Sequence, residues 1–282
     1  MAAQRMFRVG VIGDPVDHSI SPAMQQPALD ELGIDASYER WHTLASELPA
    51  RIATLRAADA LGANVTVPHK ETVLPLLDDV DTLARRAGAV NTVVNRGGKL
   101  FGANTDIGGF ASALADACPD AGSRVALVLG SGGAARAVVL GLESLGVASI
   151  LLWNRSRPRA ERLAADLFPA PVTVLDADQA SLGRALRSAG IIVNATSLGW
   201  IPGESPLPEE SLDHAVGGTF VVDLTYRQTD LLTAAQARGL PTLDGLPMLV
   251  RQGAEALRLW TGRSASVETM MRAAEAARKA RA

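Results

Sequence analysis

The 282-residue sequence predicts an α/β protein of two domains, and three observations predict it. Short apolar runs alternate along the chain with segments of helical character, the pattern of parallel sheets flanked by helices. One such run, residues 125–129, passes through Gly130-Ser131-Gly132-Gly133 into a helix, the strand–turn–helix signature of a doubly wound nucleotide-binding sheet. The texture changes near Asp106, which separates a domain over residues 1–104 from one over 105–246, with two helices to follow in 247–282.

Taken in order, residues 7–12 are an apolar run ending at Gly13. Pro22 suits the first position of a helix over 22–32 and Gly33 suits its stop. Residues 37–43 alternate like a strand, 46–58 read as a helix, and 63–67 form a short strand stopped by Pro68. Runs at 90–95 and 99–101 flank Arg96-Gly97-Gly98, a hairpin or tight return. A connector helix starts at Ile107. The second domain has strands at 125–129, 150–153, 172–175, 191–194 and 220–223. Its helices run to Leu145 and over 158–167 and 178–188, so five strands with crossovers are expected. Helices at 248–260 and 266–281 close the chain, and composition alone lets them pack on either domain.

Composition excludes several function classes. A formal net charge of −3 gives no bulk attraction to nucleic acid or anionic lipid. Cys118 is the single cysteine, so no internal disulfide forms, and a reducing compartment, the cytoplasm, is expected. No apolar run approaches the roughly 20 residues of a membrane span, and the N-terminus lacks the apolar centre of a signal peptide. His18, His42, His69 and His214 lie far apart without zinc-type spacing, so no metal is expected. Composition thus points to neither a nucleic-acid nor a membrane partner, and monomer and homodimer are both open.

The glycine turn has the form G-x-G-x-x-A, with Gly130, Ser131, Gly132, Gly133 and Ala134 presenting backbone N–H groups to a diphosphate at a helix N-terminus. About twenty residues on, where an acid would bond a ribose 2′-hydroxyl, the chain carries Asn154-Arg155-Ser156-Arg157-Pro158-Arg159. Guanidinium groups attract a 2′-phosphate and a carboxylate repels it, so this position argues for NADP. The bland alternative is a solvated basic loop.

Between the first strand and helix, Ser19 and Ser21 alternate, so their hydroxyls can form a neutral carboxylate cradle, or Ser21 can simply cap the helix at Pro22. Asn64 and Thr66 share one face of the strand that ends near Lys70. A lone lysine is ordinarily a surface group. Asp106, after Asn104-Thr105, is either an N-cap or a carboxylate held beside Lys70, where it would orient the ammonium. Asn91, in Gly88-Ala89-Val90-Asn91-Thr92, adds an amide able to bind a hydroxyl.

These motifs together resemble the shikimate dehydrogenase family over almost the whole chain. The resemblance rests on H-S-I-S-P at 18–22, N-V-T-V-P-H-K at 64–70, G-A-V-N-T at 88–92, N-T-D at 104–106 and G-S-G-G-A-A-R-A at 130–137. It continues through N-R-S at 154–156, N-A-T-S at 194–197, D-L-T-Y at 223–226, G-L-P-M-L-V-R-Q-G-A at 245–254 and L-W-T-G at 259–262. It implies an N-terminal α/β substrate domain, a Rossmann-type NADP-binding domain, and C-terminal helices that return to the first domain. It further implies Lys70 and Asp106 as a catalytic dyad, with Ser19 and Ser21 on the substrate carboxylate. Asn64, Thr66, Asn91, Tyr226 and Gln252 would contact the ring and its hydroxyls. Gly130 to Ala134, with Asn154, Arg155, Ser156 and Arg159, would hold NADP, and Thr196, Ser197, Leu224 and Gly245 would line its nicotinamide side. The implied reaction is the NADPH-dependent reversible reduction of 3-dehydroshikimate to shikimate in aromatic amino acid biosynthesis. The sequence departs from the family at Met24-Gln25-Gln26, where M-H-N is usual, and lacks the common proline after Tyr226. Two alternatives stand beside this expectation: a quinate/shikimate dehydrogenase using NAD, against which Arg155 and Ser21 argue, and a non-catalytic NADP-binding sensor, against which retention of Lys70 and Asp106 argues.

Overall fold

The computed structural model describes residues 6–281. The chain divides into two compact units, one running up to Thr105 and resuming from Val250, the other comprising Asp106–Leu249.

The first unit is built on a sheet of six strands: β1 (Phe7–Gly13), β2 (Ala36–His42), β3 (Ala60–Val65), β4 (Asp79–Val80), β5 (Thr92–Arg96) and β6 (Lys99–Ala103). They lie in the order β2-β1-β3-β5-β6-β4. β1 pairs parallel with β2 and β3, whereas β5 is antiparallel to both β3 and β6. The hairpin or tight return expected at Arg96-Gly97-Gly98 is a hairpin that reverses β6 onto β5, so this sheet is mixed rather than parallel throughout. The helices are α1 (Ser21–Glu31), α2 (Leu48–Thr54) and α3 (Thr82–Ala87). Ile12, Trp41, Ile52, Leu55, Val65 and Leu100 are among the buried side chains of one core cluster. Burial of each aliphatic side chain of this kind is worth about 1.5–3 kcal/mol.

Several boundaries differ from expectation, among them β3, expected over 63–67 and found at Ala60–Val65, and two others have a local explanation. The helix expected over 46–58 stops at Thr54, because Asn95 Nδ2 donates to Ala57 O and Ala60 O at 2.9 Å and draws that segment into β3. Ser21 does not cap the helix at Pro22: Ile20 holds the cap position, Ser21 is helical, and the Ser21 N–H donates to Ser19 Oγ at 3.2 Å.

The second unit follows through α4 (Thr105–Ala117), which begins two residues earlier than the connector helix expected at Ile107. It alternates β7 (Ala126–Leu129), α5 (Gly133–Ser144), β8 (Ile150–Trp153), α6 (Arg157–Asp166), β9 (Val172–Val174), α7 (Gln179–Leu186), β10 (Ile191–Asn194), β11 (Phe220–Asp223), α8 (Asp230–Ala237) and β12 (Thr242–Leu243). All neighbours are parallel, in the order β12-β11-β10-β7-β8-β9. This is the doubly wound arrangement, with six strands rather than five; β12 has only two residues, too few for a periodic signal. Leu127, Leu186, Ile192, Val221 and Leu231 belong to its buried core.

Finally α9 (Leu246–Thr261) and α10 (Val267–Lys279) bring the chain back to the first unit. Trp260 Nε1 donates to Val93 O at 2.9 Å, and Gln25 Nε2 donates to Gly253 O at 3.0 Å. Among the described residues, no helix is long and apolar enough to cross a membrane.

Candidate active site

In the first unit the strand ends and the returning helix enclose a chain of buried polar groups. Asn64, near the end of β3, accepts at Oδ1 from the Tyr38 hydroxyl at 2.7 Å. Its Nδ2 donates to Asn91 O and Thr92 Oγ1, both at 3.2 Å. Asn91 Nδ2 donates to Thr105 Oγ1 at 2.9 Å and to Gln252 Oε1 at 3.2 Å, and Asn91 Oδ1 accepts from the Thr105 N–H at 2.7 Å. Buried polar groups that lose such a partner cost about 1–3 kcal/mol each, so the network strongly specifies its own geometry. Ser21 hydrogen-bonds Tyr38; burial pushes the phenol well above its usual range, and the Ser21 contact partly opposes that. Ser21, Asn64, Asn91 and Gln252, four residues singled out in the sequence, therefore belong to one cluster.

Lys70 is tied to this cluster through the backbone. The Val90 N–H donates to Lys70 O at 2.7 Å, which fixes Lys70 to the residue preceding Asn91. Asp106 directly follows Thr105 in the chain and sits in the first turn of α4, inside the helix rather than at a capping position. Asn104 Nδ2 donates to Ala89 O at 2.8 Å, holding the approach to α4 against the loop that carries Asn91. Thr66 lies one residue past β3, where its N–H donates to Ile12 O at 2.8 Å. Ser19 is half-buried beside the start of α1.

The motif residues Gln25 and Gln26 support this arrangement. Gln25 is buried and holds the carbonyl next to Gln252. Gln26 Oε1 accepts from the Tyr38 N–H at 2.9 Å, and its Nε2 donates to Ala36 O at 3.1 Å.

In the second unit the carboxyl ends of β7, β8, β10 and β11 stand in register at Leu129, Trp153, Asn194 and Asp223, so the turns that follow them leave from one edge. Open α/β sheets bind ligands at this edge. Gly130 has φ +110°, and a Cβ there would come within 3.0 Å of Ala195 O, so the first turn requires glycine. Gly132, the N-cap of α5, has no side chain to cap the helix, and a Cβ there would meet nothing within 4 Å. Open space thus lies beside the first turn of α5, whose leading N–H groups have no partner within the helix, a fit for a diphosphate.

Arg155 and Arg159 are exposed and make no ion pair among the described residues, which leaves both for a phosphate. Arg157 is instead engaged by Glu161 and Asp176. Asn154 Nδ2 donates to Ser156 O at 2.9 Å and shapes the loop.

Thr196 Oγ1 donates to Asn194 Oδ1 at 2.7 Å and accepts from the Leu198 N–H at 3.1 Å, so its side chain is spent on the turn after β10; Ser197 is exposed. A Cβ at Gly245 would lie 2.0 Å from Leu224 O, so the two segments touch backbone to backbone. Tyr226 belongs to the second unit and packs edge-on against Trp200 with centroids 4.9 Å apart. In the place of the missing proline, Arg227 Nη1 donates to Trp200 O at 2.6 Å. Asp223 is fully buried, and desolvation raises its carboxyl above the ordinary carboxylate range against several hydrogen bonds that lower it.

Sequence reasoning did not single out Tyr38, Thr92 or Thr105. Tyr38 carried a signal, since a tyrosine at a core-facing strand position needs a hydroxyl partner.

A doubly wound sheet with an uncapped glycine turn and free arginines beyond its second strand, in a chain whose other unit holds a buried polar site, defines a nicotinamide-nucleotide-dependent oxidoreductase of small polar substrates. Comparison with known proteins narrows this. Family models match three segments: the shikimate dehydrogenase substrate binding domain over residues 11–93, shikimate / quinate 5-dehydrogenase over 113–226, and the shikimate 5′-dehydrogenase C-terminal domain over 245–275. The chain is 46% identical over 275 residues to the shikimate dehydrogenase (NADP(+)) of Symbiobacterium thermophilum, covering 95% of this chain and 94% of that one. It superposes with a TM-score of 0.84 on the Thermus thermophilus shikimate 5-dehydrogenase in complex with NADP(H) and shikimate, at 43% identity and covering 96% and 100% of the two chains. A quinate dehydrogenase from Corynebacterium glutamicum in complex with NAD superposes with a TM-score of 0.86 at 32% identity, covering 96% and 99%. The chain belongs to the shikimate dehydrogenase family.

Proposed function

We propose that this protein catalyses the NADPH-dependent, reversible reduction of 3-dehydroshikimate to shikimate. The observation that carries this reading is the match over 96% of the chain to a relative holding NADP(H) and shikimate; the resemblance of the N-V-T-V-P-H-K and N-T-D motifs is what assigns the dyad to Lys70 and Asp106. The residues fit the cofactor: the uncapped α5 N-terminus suits the diphosphate, and Arg155 and Arg159 suit the 2′-phosphate. NADPH supplies a hydride when bound. Ser19 and Ser21 hold the substrate carboxylate through hydroxyl donors, and Asn64, Thr66, Asn91, Tyr226 and Gln252 hold the ring and its hydroxyls. As the ring ketone is reduced, negative charge grows on its oxygen; the Lys70 ammonium stabilises that charge and donates the proton. Asp106 orients Lys70 and accepts from a substrate hydroxyl. In the reverse direction the neutral Lys70 amine takes the proton. Support for the dyad comes from the shared attachment of Lys70 and Thr105 to the 88–92 loop. We assign the domains as substrate-binding over 1–104, NADP-binding over 105–246 and C-terminal helices over 247–282, and place the enzyme in the cytoplasm, where a free Cys118 thiol stays reduced.

Lys70→Ala is expected to lower turnover by roughly 10²–10⁴ while NADP⁺ binding survives. A spectrophotometric assay with shikimate or quinate, each with NADP⁺ or NAD⁺, tests both parts. Near-normal turnover in the variant removes Lys70 from the mechanism, and a wild-type preference for quinate with NAD⁺ replaces the proposed reaction.

A further inference from the structure

One buried acid at the carboxyl edge of the second sheet takes no part in the reaction derived above. Asp223 ends β11, is 0% exposed, and stands in register beside Asn194 at the end of β10. Both of its oxygens accept: Oδ1 from the Thr225 N–H at 2.9 Å, and Oδ2 from Asn194 Nδ2 at 3.0 Å and the Thr229 hydroxyl at 2.9 Å. Asn194 extends the network, since its Nδ2 also donates to Leu198 O at 3.0 Å and its Oδ1 accepts from the Thr196 N–H at 3.0 Å. On the other side, the Gly245 N–H donates to Thr225 O at 3.1 Å. One carboxylate therefore joins the turn after β10, the turn after β11 and the start of α8.

No counter-charge calls for an acid here. Among the described residues Asp223 has no ion-pair partner, and burying an unpaired carboxylate is costly unless its hydrogen bonds are used. An amide cannot replace it. Donors reach both oxygens, so either orientation of an asparagine turns an NH₂ group onto a donor. The arrangement needs acceptors on both sides, and only a carboxylate supplies them at this size.

We propose that Asp223 is a positioning residue for the nicotinamide end of the cofactor, fixing the turns that carry Thr196, Ser197 and Leu224 relative to each other. This rests on the reading of those residues, with Gly245, as the nicotinamide side of the site. The test is titration of the full-length protein with NADP⁺ and with 2′-phospho-ADP-ribose, a fragment that lacks the nicotinamide. Asp223→Asn should weaken NADP⁺ binding about tenfold and leave the fragment within about twofold of wild type. Thr229→Val, which keeps the side-chain volume but loses the hydroxyl, should act in the same direction, and Thr229→Ser should restore wild-type binding; this pair carries the test if Asp223→Asn does not fold. Loss of both ligands to the same degree would mark Asp223 as merely structural, and unchanged binding of both would remove it from the site. Gly245→Ala forces the Leu224 turn to move. If it weakens NADP⁺ selectively while Asp223→Asn does not, the inference about Asp223 fails alone; if neither does, the nicotinamide-side reading fails with it.

Discussion

At the scale of single residues, charge placement decides most of the chemistry. Arg155 and Arg159 are exposed and make no ion pair among the described residues, whereas Arg157 is committed to Glu161 and Asp176. Arg155→Ala should weaken NADP⁺ binding by about tenfold or more and NAD⁺ binding little, because only NADP⁺ carries the phosphate; titration with both cofactors reads the difference. A second charge pair gives a pH dependence. His42 Nε2 lies 2.8 Å from Asp14 Oδ1, and that hydrogen bond, aided by the charges of Asp14, Asp17 and Glu47, raises the imidazole above its ordinary value. A histidine raised in the folded state adds stability that is complete below its unfolded pKa, about 6.5, and is lost as pH rises through the folded value. The melting temperature of wild type should therefore exceed that of His42→Gln most at about pH 5.5–6 and converge with it at alkaline pH. Because the pair is exposed, high salt should shrink the difference. Cys118, by contrast, is buried with its thiol pushed up by desolvation, which suits a residue with no chemical role.

At the scale of elements, strands buried on both faces were the most legible. Residues 191–194 and 220–223 are buried throughout and fold with the bounds their runs suggest, because a central parallel strand is covered on both faces; 150–153 does so too, although Leu151 and Trp153 are only half-buried. Elements whose limits are set by a distant partner were not legible. α2 is cut short by Asn95, and β12 exists through two residues paired to β11. α8 was missed although Thr229 caps it, accepting from the Leu232 N–H at 3.3 Å. In sequence Ser21 was open between a carboxylate cradle and an N-cap; the structure gives the cap position to Ile20 and makes Ser21 part of a helix whose first turn faces Tyr38. The docking of α10 onto α1 could not be read from composition, which let the last helices pack on either domain; only the family resemblance implied their return to the first, and the structure bears that out. Met270 on α10 is fully buried, and the space at Gly253 is bounded by Met24 and Met270. Met270→Ala should destabilise the protein by about 2–5 kcal/mol, seen as a lower melting temperature, with NADP⁺ affinity retained because the residues proposed to bind NADP lie outside that unit.

At the scale of the whole molecule, the chain leaves its first unit after Thr105, completes the second, and returns at Val250. Sequence by itself determined the α/β class, the glycine turn, the basic residues beyond the second nucleotide strand, and the motifs that carry Lys70, Asp106 and the serines. These are local, because turn geometry, capping and charge placement depend on neighbours in the chain. Only the tertiary structure decided that Tyr38, Asn64, Asn91, Thr105 and Gln252 share one hydrogen-bonded cluster, and that Asp223 unites two turns and the start of α8. The reason is physical: a buried polar group takes whichever partner the fold brings to it, and Gln252 meets Asn91 across 161 positions of chain that no local pattern spans.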